Sequence, residues 1–378
     1  MRKLSVYIHI PFCVRKCFYC DFLSFPAEEE EKTAYVEALL KEIRAEAAHY
    51  RNYAVDTVFI GGGTPSLLSG EWIEKILYIL KENFAFSQNP EITVEVNPGS
   101  AEEEKLLQYR SAGINRLSIG TQSVQDEELR CLGRVHNAEE FYETYRLAEK
   151  AGFSNINVDL ISAVPGQTCA SFLKTLKAVV RLKPNHLSVY SLIVEKGTPF
   201  YDWYGEGGTK KPDAAALPSE EEECRMDEQT ELFLKEKGYS RYEISNYAKE
   251  GACCRHNLAY WRRYDYVGFG LGASSMVQNV RFKNTENMKS YVNQNFCREE
   301  HRLSTEEQME EFMFLGLRLK KGVSRKEFYR NFLKELDAVY GDILPELYAN
   351  GLLEGKEWIS LTPYGRDISN YVMAQFMF

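Results

Sequence analysis

The chain has 378 residues, 44% hydrophobic and 27% charged, with a formal net charge of −9. That length suits one large α/β domain with an accessory one, and the acidic balance excludes the broad basic footprint of a nucleic-acid binder. No apolar run reaches the roughly 20 residues of a membrane-spanning helix, and nine cysteines, an odd number, do not form a disulfide framework.

The opening MRKLSVYIHIPFC has two basic residues and a few apolar ones, but a histidine and a proline interrupt it and no small-residue cleavage site follows. It is expected to be a first strand, in a protein that stays in the cytoplasm. Cys13, Cys17 and Cys20 follow at C-x3-C-x2-C spacing. Three thiolates can each hold one iron of a [4Fe–4S] cluster and leave the fourth iron without a protein ligand. Structural zinc is the alternative; it needs a fourth ligand, which Asp21 or His9 could offer.

Strand candidates then run through the first half: LSVYIHI, DTVFIGGG, EITVEVNP, INRLSIGT, INVDLISAVP and HLSVYSLIV. Helical periodicity predicts helices over 30–50, 71–83, 102–112, 139–151 and 171–182, with Gly113 and Gly152 as C-terminal caps. Such alternation predicts a parallel sheet with right-handed crossovers. Six units fall short of a closed eight-stranded barrel and predict an open, partial (β/α)6 barrel with its functional groups at the strand C-terminal ends. The unusual residues fall at those ends or in the loops after them: the GGGTPS turn at 61–66, Glu95, Gln122, Arg134 and Asp159. Free amides in the glycine turn would suit a carboxylate or amino group. Arg134 is equally readable as a surface ion pair and Asp159 as a helix cap.

Residues 197–220, rich in Gly and Pro, predict a long surface loop. An acidic helix follows, then an aromatic-rich stretch containing CCRHNLAYWRR, then from 303 a helical tail closing with the strand EWISL. The division is 1–235 for the barrel core, 236–302 for a segment packing on it, and 303–378 for a small, mainly α accessory domain. Within the tail, FMFLGLRL predicts a helix laying an apolar face on the main domain. Cys131, Cys169, Cys224 and Cys297 are read as ordinary buried or half-exposed thiols.

The cysteine loop after strand one, with a glycine turn one βα unit later, resembles the radical S-adenosylmethionine (SAM) superfamily. YIHIPFC, GGGTPS, VEVNP, SIGTQS, LGRVH and DLISAVPGQT, in that order over about 4–200, are similar to the oxygen-independent coproporphyrinogen III oxidase group. The resemblance implies a [4Fe–4S] cluster on the three cysteines, with SAM on its open iron. SAM contacts would fall at Tyr7, Tyr19, Gly62, Gly63, Thr64, Glu95, Gln122, Arg134 and Asp159. It also implies an electron donor such as a flavodoxin or ferredoxin.

Three features depart from the oxidases. The run Cys20-Asp21-Phe22 lacks their further cysteine, the chain starts almost on the first strand, and His256–Trp261 spell HNLAYW. An HNLxYW segment resembles the related HemW-type haem chaperones. This resemblance implies haem as ligand, transfer to haem-accepting proteins such as respiratory enzymes, a peripheral position at respiratory complexes, and room for a homodimer. His256 would be the haem ligand, with Tyr260 and Trp261 lining the porphyrin, unless it is a packed core histidine. Cys253 and Cys254 are rival ligands. Arg255, Arg262 and Arg263 would pair with propionates or form a solvated basic loop. The rival function is coproporphyrinogen oxidation or another radical SAM reaction on a tetrapyrrole.

Overall fold

The apolar–polar alternation of SVYIHI sets the architecture. In β1 (Arg2–Ile10), Leu4, Val6, Ile8 and Ile10 are buried against helices, so Ser5, Tyr7 and His9 face the opposite side of the sheet. The structure, a computed structural model, describes residues 1–209, 215–296 and 299–378. β1 is followed by β2 (Tyr53–Gly62), β3 (Phe86–Val96), β4 (Arg116–Gln122), β5 (Ile156–Ser162) and β6 (His186–Ser191), each parallel to the one before. The five expected helices lie between them, α1 (Glu29–Glu46), α2 (Gly70–Asn83), α3 (Glu103–Ala112), α5 (Ala138–Lys150) and α6 (Cys169–Arg181), and a short α4 (Asp126–Cys131) that the periodicity did not predict precedes α5. Gly113 ends α3 in the left-handed conformation at φ +98°, and Gly152 follows α5 at φ +86°, as C-terminal caps do.

Two features of the sheet and its loops differ from expectation. The loop predicted over 197–220 contains α7 (Pro199–Tyr204), capped by the Thr198 hydroxyl with proline at its first position. Beyond α8 (Glu220–Glu236), the segment 236–302 does not merely pack on the barrel but supplies strands to both edges of its sheet. β7 (Ser240–Arg241) and β8 (Asn246–Ala248) extend the β6 side antiparallel. α9 (Arg255–Trp261) follows, and then β9 (Tyr266–Phe269) runs parallel to β1, with Ser5 opposite Tyr266 and Ile8 opposite Phe269. Antiparallel β10 (Ser274–Val277), β11 (Val280–Lys283) and β12 (Glu299–Arg302) complete that side. Among the described residues the order is β12-β11-β10-β9-β1-β2-β3-β4-β5-β6-β8-β7, and the two edges do not pair, so the barrel is partial and open.

The tail has its own apolar core of Met309, Met313, Leu317, Phe328, Leu347, Ile359 and Phe376. Its helix Thr305–Gly316 turns Met309 and Met313 into this second core, so FMFLGLRL packs within the tail more than on the main domain. The strand Trp358–Leu361 lies between Val323–Ser324 and Leu353–Glu354, and helices Pro363–Asp367 and Ser369–Ala374 follow it, so EWISL is not the last element. The tail joins the sheet through Ile244 N to Arg318 O (3.1 Å) and Lys320 N to Tyr242 O (3.0 Å), with the Arg318 guanidinium 4.3 Å over the Trp261 ring. No helix among the described residues is long and apolar enough to cross a membrane.

Candidate functional site

After Ile10 and Pro11 the chain leaves the sheet in the cysteine loop. Its neck is tied by Cys13 N donating to Phe25 O (3.1 Å) and Phe25 N to Pro11 O (2.9 Å). Inside it, Cys20 N donates to Cys17 O (3.2 Å), and Phe18 N reaches across to Leu132 O (3.1 Å). Cys13 is buried, while Cys17 and Cys20 are half-exposed. Among the described residues no three Cys, His, Asp or Glu side chains converge on a point that could hold one metal ion, as a zinc site demands. A cubane asks for something else: three thiolates in one loop, each meeting a different iron, and that donor set is present. Asp21 is exposed. The His9 ring is already engaged, its Nε2 2.8 Å from Leu23 O and its Nδ1 3.0 Å from the Tyr7 hydroxyl. Because Leu23 O can only accept, Nε2 carries the proton and Tyr7 donates to Nδ1.

The glycine turn at the end of β2 lies against this neck. A Cβ on Gly63 would stand 2.5 Å from Phe12 O, and one on Gly62, at φ +118°, 2.6 Å from the His9 ring. The amides expected to be free for a ligand are not. Gly62 N donates to Glu95 Oε2 (3.0 Å), Gly63 N to Ile10 O (2.8 Å) and Thr64 N to Phe12 O (2.6 Å). An amino group is a donor in any case, and this turn can meet one only through oxygens.

Arg134 is not a surface ion pair. Its guanidinium donates to Gly120 O (2.7 Å) and Asn97 Oδ1 (2.8 Å), and lies 3.6 Å from Cys17 Sγ. Asn97, absent from the sequence reading, donates in turn to the Thr64 hydroxyl (2.7 Å). It therefore links the ends of β2 and β3 to the arginine at the cysteine loop; the only signal in sequence was its place in VEVNP. Tyr19 packs among Leu132, Ile161, Val164 and Phe200. Burial raises its hydroxyl pKa, with Arg134 opposing and Cys17 and Cys20 adding to the rise. Gln122 ends β4 at φ +65°, beside a register shift between β4 and β5.

Asp159 does not cap a helix either. It points to the same side as Glu95 and accepts from Ser118 Oγ (3.0 Å) and Asn157 Nδ2 (2.8 Å). Burial raises its pKa, and the three hydroxyl and amide donors of Ser188, Asn157 and Ser118 pull it back. Glu95 is pushed up to about 8, by burial first and by the Asp159 charge second. Two poorly compensated carboxyls favour a cationic ligand beside them. The sign for stability follows. A carboxyl raised on folding stabilises fully below its ordinary 4.5, and that contribution is lost as pH rises through about 8. Glu95→Gln should therefore flatten the fall in melting temperature of ligand-free protein between those values; an unchanged slope would contradict the assignment.

The HNLAYW segment lies at the other end of the strands. The His256 ring contacts Thr57 Oγ1 through Nδ1 (2.8 Å) and the Tyr260 hydroxyl through Nε2 (3.0 Å), and stacks on Phe59 at 5.2 Å. It is 1% exposed, and burial, with Arg116 nearby, lowers its pKa to about 3. Thr57 is five residues before Gly62, roughly 16 Å along a strand. The expected haem ligand is thus a sealed histidine with both nitrogens engaged. The rival Cys254 is also buried, its thiol pushed up to about 12 by that burial, and burial raises Cys253 as well. Arg255 is spent on Asn89 O and Asp56 O, and Arg263 on Glu311 and Asn279, while Arg262 is exposed. Of the remaining thiols Cys169 is buried, Cys131 half-exposed and Cys224 exposed; Cys297 lies outside the described residues.

A three-thiol loop after β1, a glycine turn after β2 and acidic groups at later strand ends of an open parallel barrel define a radical SAM protein. The Radical SAM superfamily matches residues 7–179 and the HemN C-terminal domain residues 303–368. The chain belongs to the heme chaperone HemW family. It is 37% identical over 380 residues to "Heme chaperone HemW" of Bacillus subtilis (strain 168), covering 99% of each chain. To the Escherichia coli (strain K12) protein of the same name it is 35% identical over 381 residues, covering 99% of this chain and 98% of that one. The solved coproporphyrinogen III oxidase (HemN) from Escherichia coli superposes with a TM-score of 0.84 at 27% identity, covering 99% of this chain and 90% of that one. A radical SAM domain implies a [4Fe–4S] cluster and SAM.

Proposed function

We propose that the protein is a haem chaperone that binds a [4Fe–4S] cluster, SAM and haem and passes haem to haem-requiring proteins such as respiratory enzymes, in the cytoplasm. The observation that carries this reading is a likeness to heme chaperones over 99% of the chain. The run Cys20-Asp21-Phe22, without a further cysteine, agrees with it. Cys13, Cys17 and Cys20 would hold the cluster. When bound, the cluster and SAM together supply one-electron chemistry at the SAM sulfonium. The chain's own residues would orient SAM: Arg134, fixed by Asn97 and Gly120 O, offers its charge to the SAM carboxylate, and Glu95 and Asp159 offer theirs to cationic groups. Tyr7, Tyr19, Gly62, Gly63, Thr64 and Gln122 would complete the pocket. Reducing electrons would come from a flavodoxin- or ferredoxin-type donor. Functional units 1–235, 236–302 and 303–378, and a homodimer, belong to the same proposal.

His256 has a positioning role in this reading, holding α9 to β2. His256→Ala should cost about 1–3 kcal/mol, the penalty for leaving buried polar partners unsatisfied, and should leave haem affinity unchanged. Loss of the haem spectrum at unchanged urea stability would restore it as a ligand. Coproporphyrinogen III supplied with SAM and reductant tests the function itself. No conversion is expected, and turnover to protoporphyrinogen would make the protein an oxidase.

A further inference from the structure

We propose that haem binds in an aromatic cavity on the flank of the cluster loop, walled by Phe18, Pro165, Phe200, Trp203 and Tyr204. This rests on the haem-chaperone reading and gives its cargo a place. The cavity holds about 630 Å³, within the range of about 300–1,000 Å³ typical of cofactor sites. Its walls follow from the short helix α7. Thr198 caps it and Pro199 starts it, so Phe200, Trp203 and Tyr204 fall at i, i+3 and i+4 on one face. The Phe18 ring meets Trp203 at 5.1 Å, and Phe200 meets Tyr204 at 5.5 Å. Phe200 is fully buried behind the others, and the half-exposed rings of Phe18, Trp203 and Tyr204 suit a flat, apolar macrocycle.

The rim offers one cation to its two carboxylates. Arg130 donates through Nε to Asp126 O (3.2 Å), and its terminal nitrogens make no hydrogen bond among the described residues. Two rim carboxylates oppose it. Glu128 is turned inward, accepting from Ser123, Gln125, Gln167 and Ser171, which leaves Glu127 as the exposed counter-charge. Phe18 also ties the cavity to the cluster. It lies between Cys17 and Tyr19, its N–H donates to Leu132 O (3.1 Å), and its carbonyl accepts from Phe200 N (3.0 Å). Haem and cluster therefore share one loop, and any effect of one on the affinity for the other must be reciprocal.

The test is a Soret titration of anaerobically reconstituted full-length protein with haem. Trp203→Ala removes a wall, and Ala215→Trp, at the cavity edge, fills the space. Both should weaken haem binding at least about tenfold, which is about 1.4 kcal/mol, with iron, sulfide and SAM binding unchanged. If Trp203→Ala loses iron as well, Ala215→Trp decides. Haem should also shift the cluster's EPR signal in wild type and not in Ala215→Trp. Wild-type affinity in both variants would overturn this site while leaving the chaperone reading intact. A wild-type protein that binds no haem would overturn both.

Discussion

Cys17→Ser should bring iron and sulfide down to background after anaerobic reconstitution while the far-UV circular dichroism keeps its native shape. A serine hydroxyl is not ionised near neutral pH and does not replace a thiolate on iron. The loop does not depend on that sulfur for its path, because its neck is held by backbone bonds between Cys13, Pro11 and Phe25 and its far side by Phe18 N to Leu132 O. Arg134 would lose its sulfur contact and keep Asn97 and Gly120 O. Stoichiometric iron and sulfide in the variant would show that the three cysteines are not the cluster's ligands.

Glu91→Ala should be among the most destabilising single changes in the barrel. Glu91 is 7% exposed and accepts from Arg255 N (3.1 Å), His256 N (3.0 Å) and the Cys254 thiol (3.7 Å), so it caps α9 from another strand. Burial lowers the pKa of nearby Arg116, which is 2% exposed, and Cys254 first and Glu91 second oppose that lowering, without a direct ion pair between Glu91 and the guanidinium. Leaving a buried amide without its acceptor costs about 1–3 kcal/mol, and two such amides lose theirs here, a noticeable share of the about 5–15 kcal/mol that folds a typical domain. Urea unfolding of the ligand-free protein should show the loss, with Glu91→Gln recovering the part that depends on hydrogen bonding alone. A loss under about 1 kcal/mol would mean that the amides of α9 do not depend on this carboxylate.

The parallel core was legible because two periods coincide in the sequence. SVYIHI alternates with period two, and helices such as α5 and α6 open on clear caps, Asn137 and Thr168. The strand ends in the sequence singled out Glu95 and Asp159, and the cysteine spacing marked the loop. What escaped was whatever depends on pairing between distant segments. β9 is only four residues long and gains its place from parallel pairing with β1, which no local pattern announces. Asn97 matters through Thr64 and Arg134, partners 33 and 37 residues away. His256 looked like an available imidazole because sequence cannot show that Thr57, Phe59 and Tyr260 close around it. The glycine turn was placed correctly but read the wrong way round: its amides hold the protein together.

The most direct test of the haem-chaperone account is transfer. Reconstituted protein is loaded with haem, mixed with an apo-form haem-binding acceptor, and separated by size while the Soret band of each fraction is followed. The account predicts that haem leaves this protein for the acceptor without chemical change. Failure to hold haem, or haem retained while coproporphyrinogen III is converted by the same preparation, would contradict it.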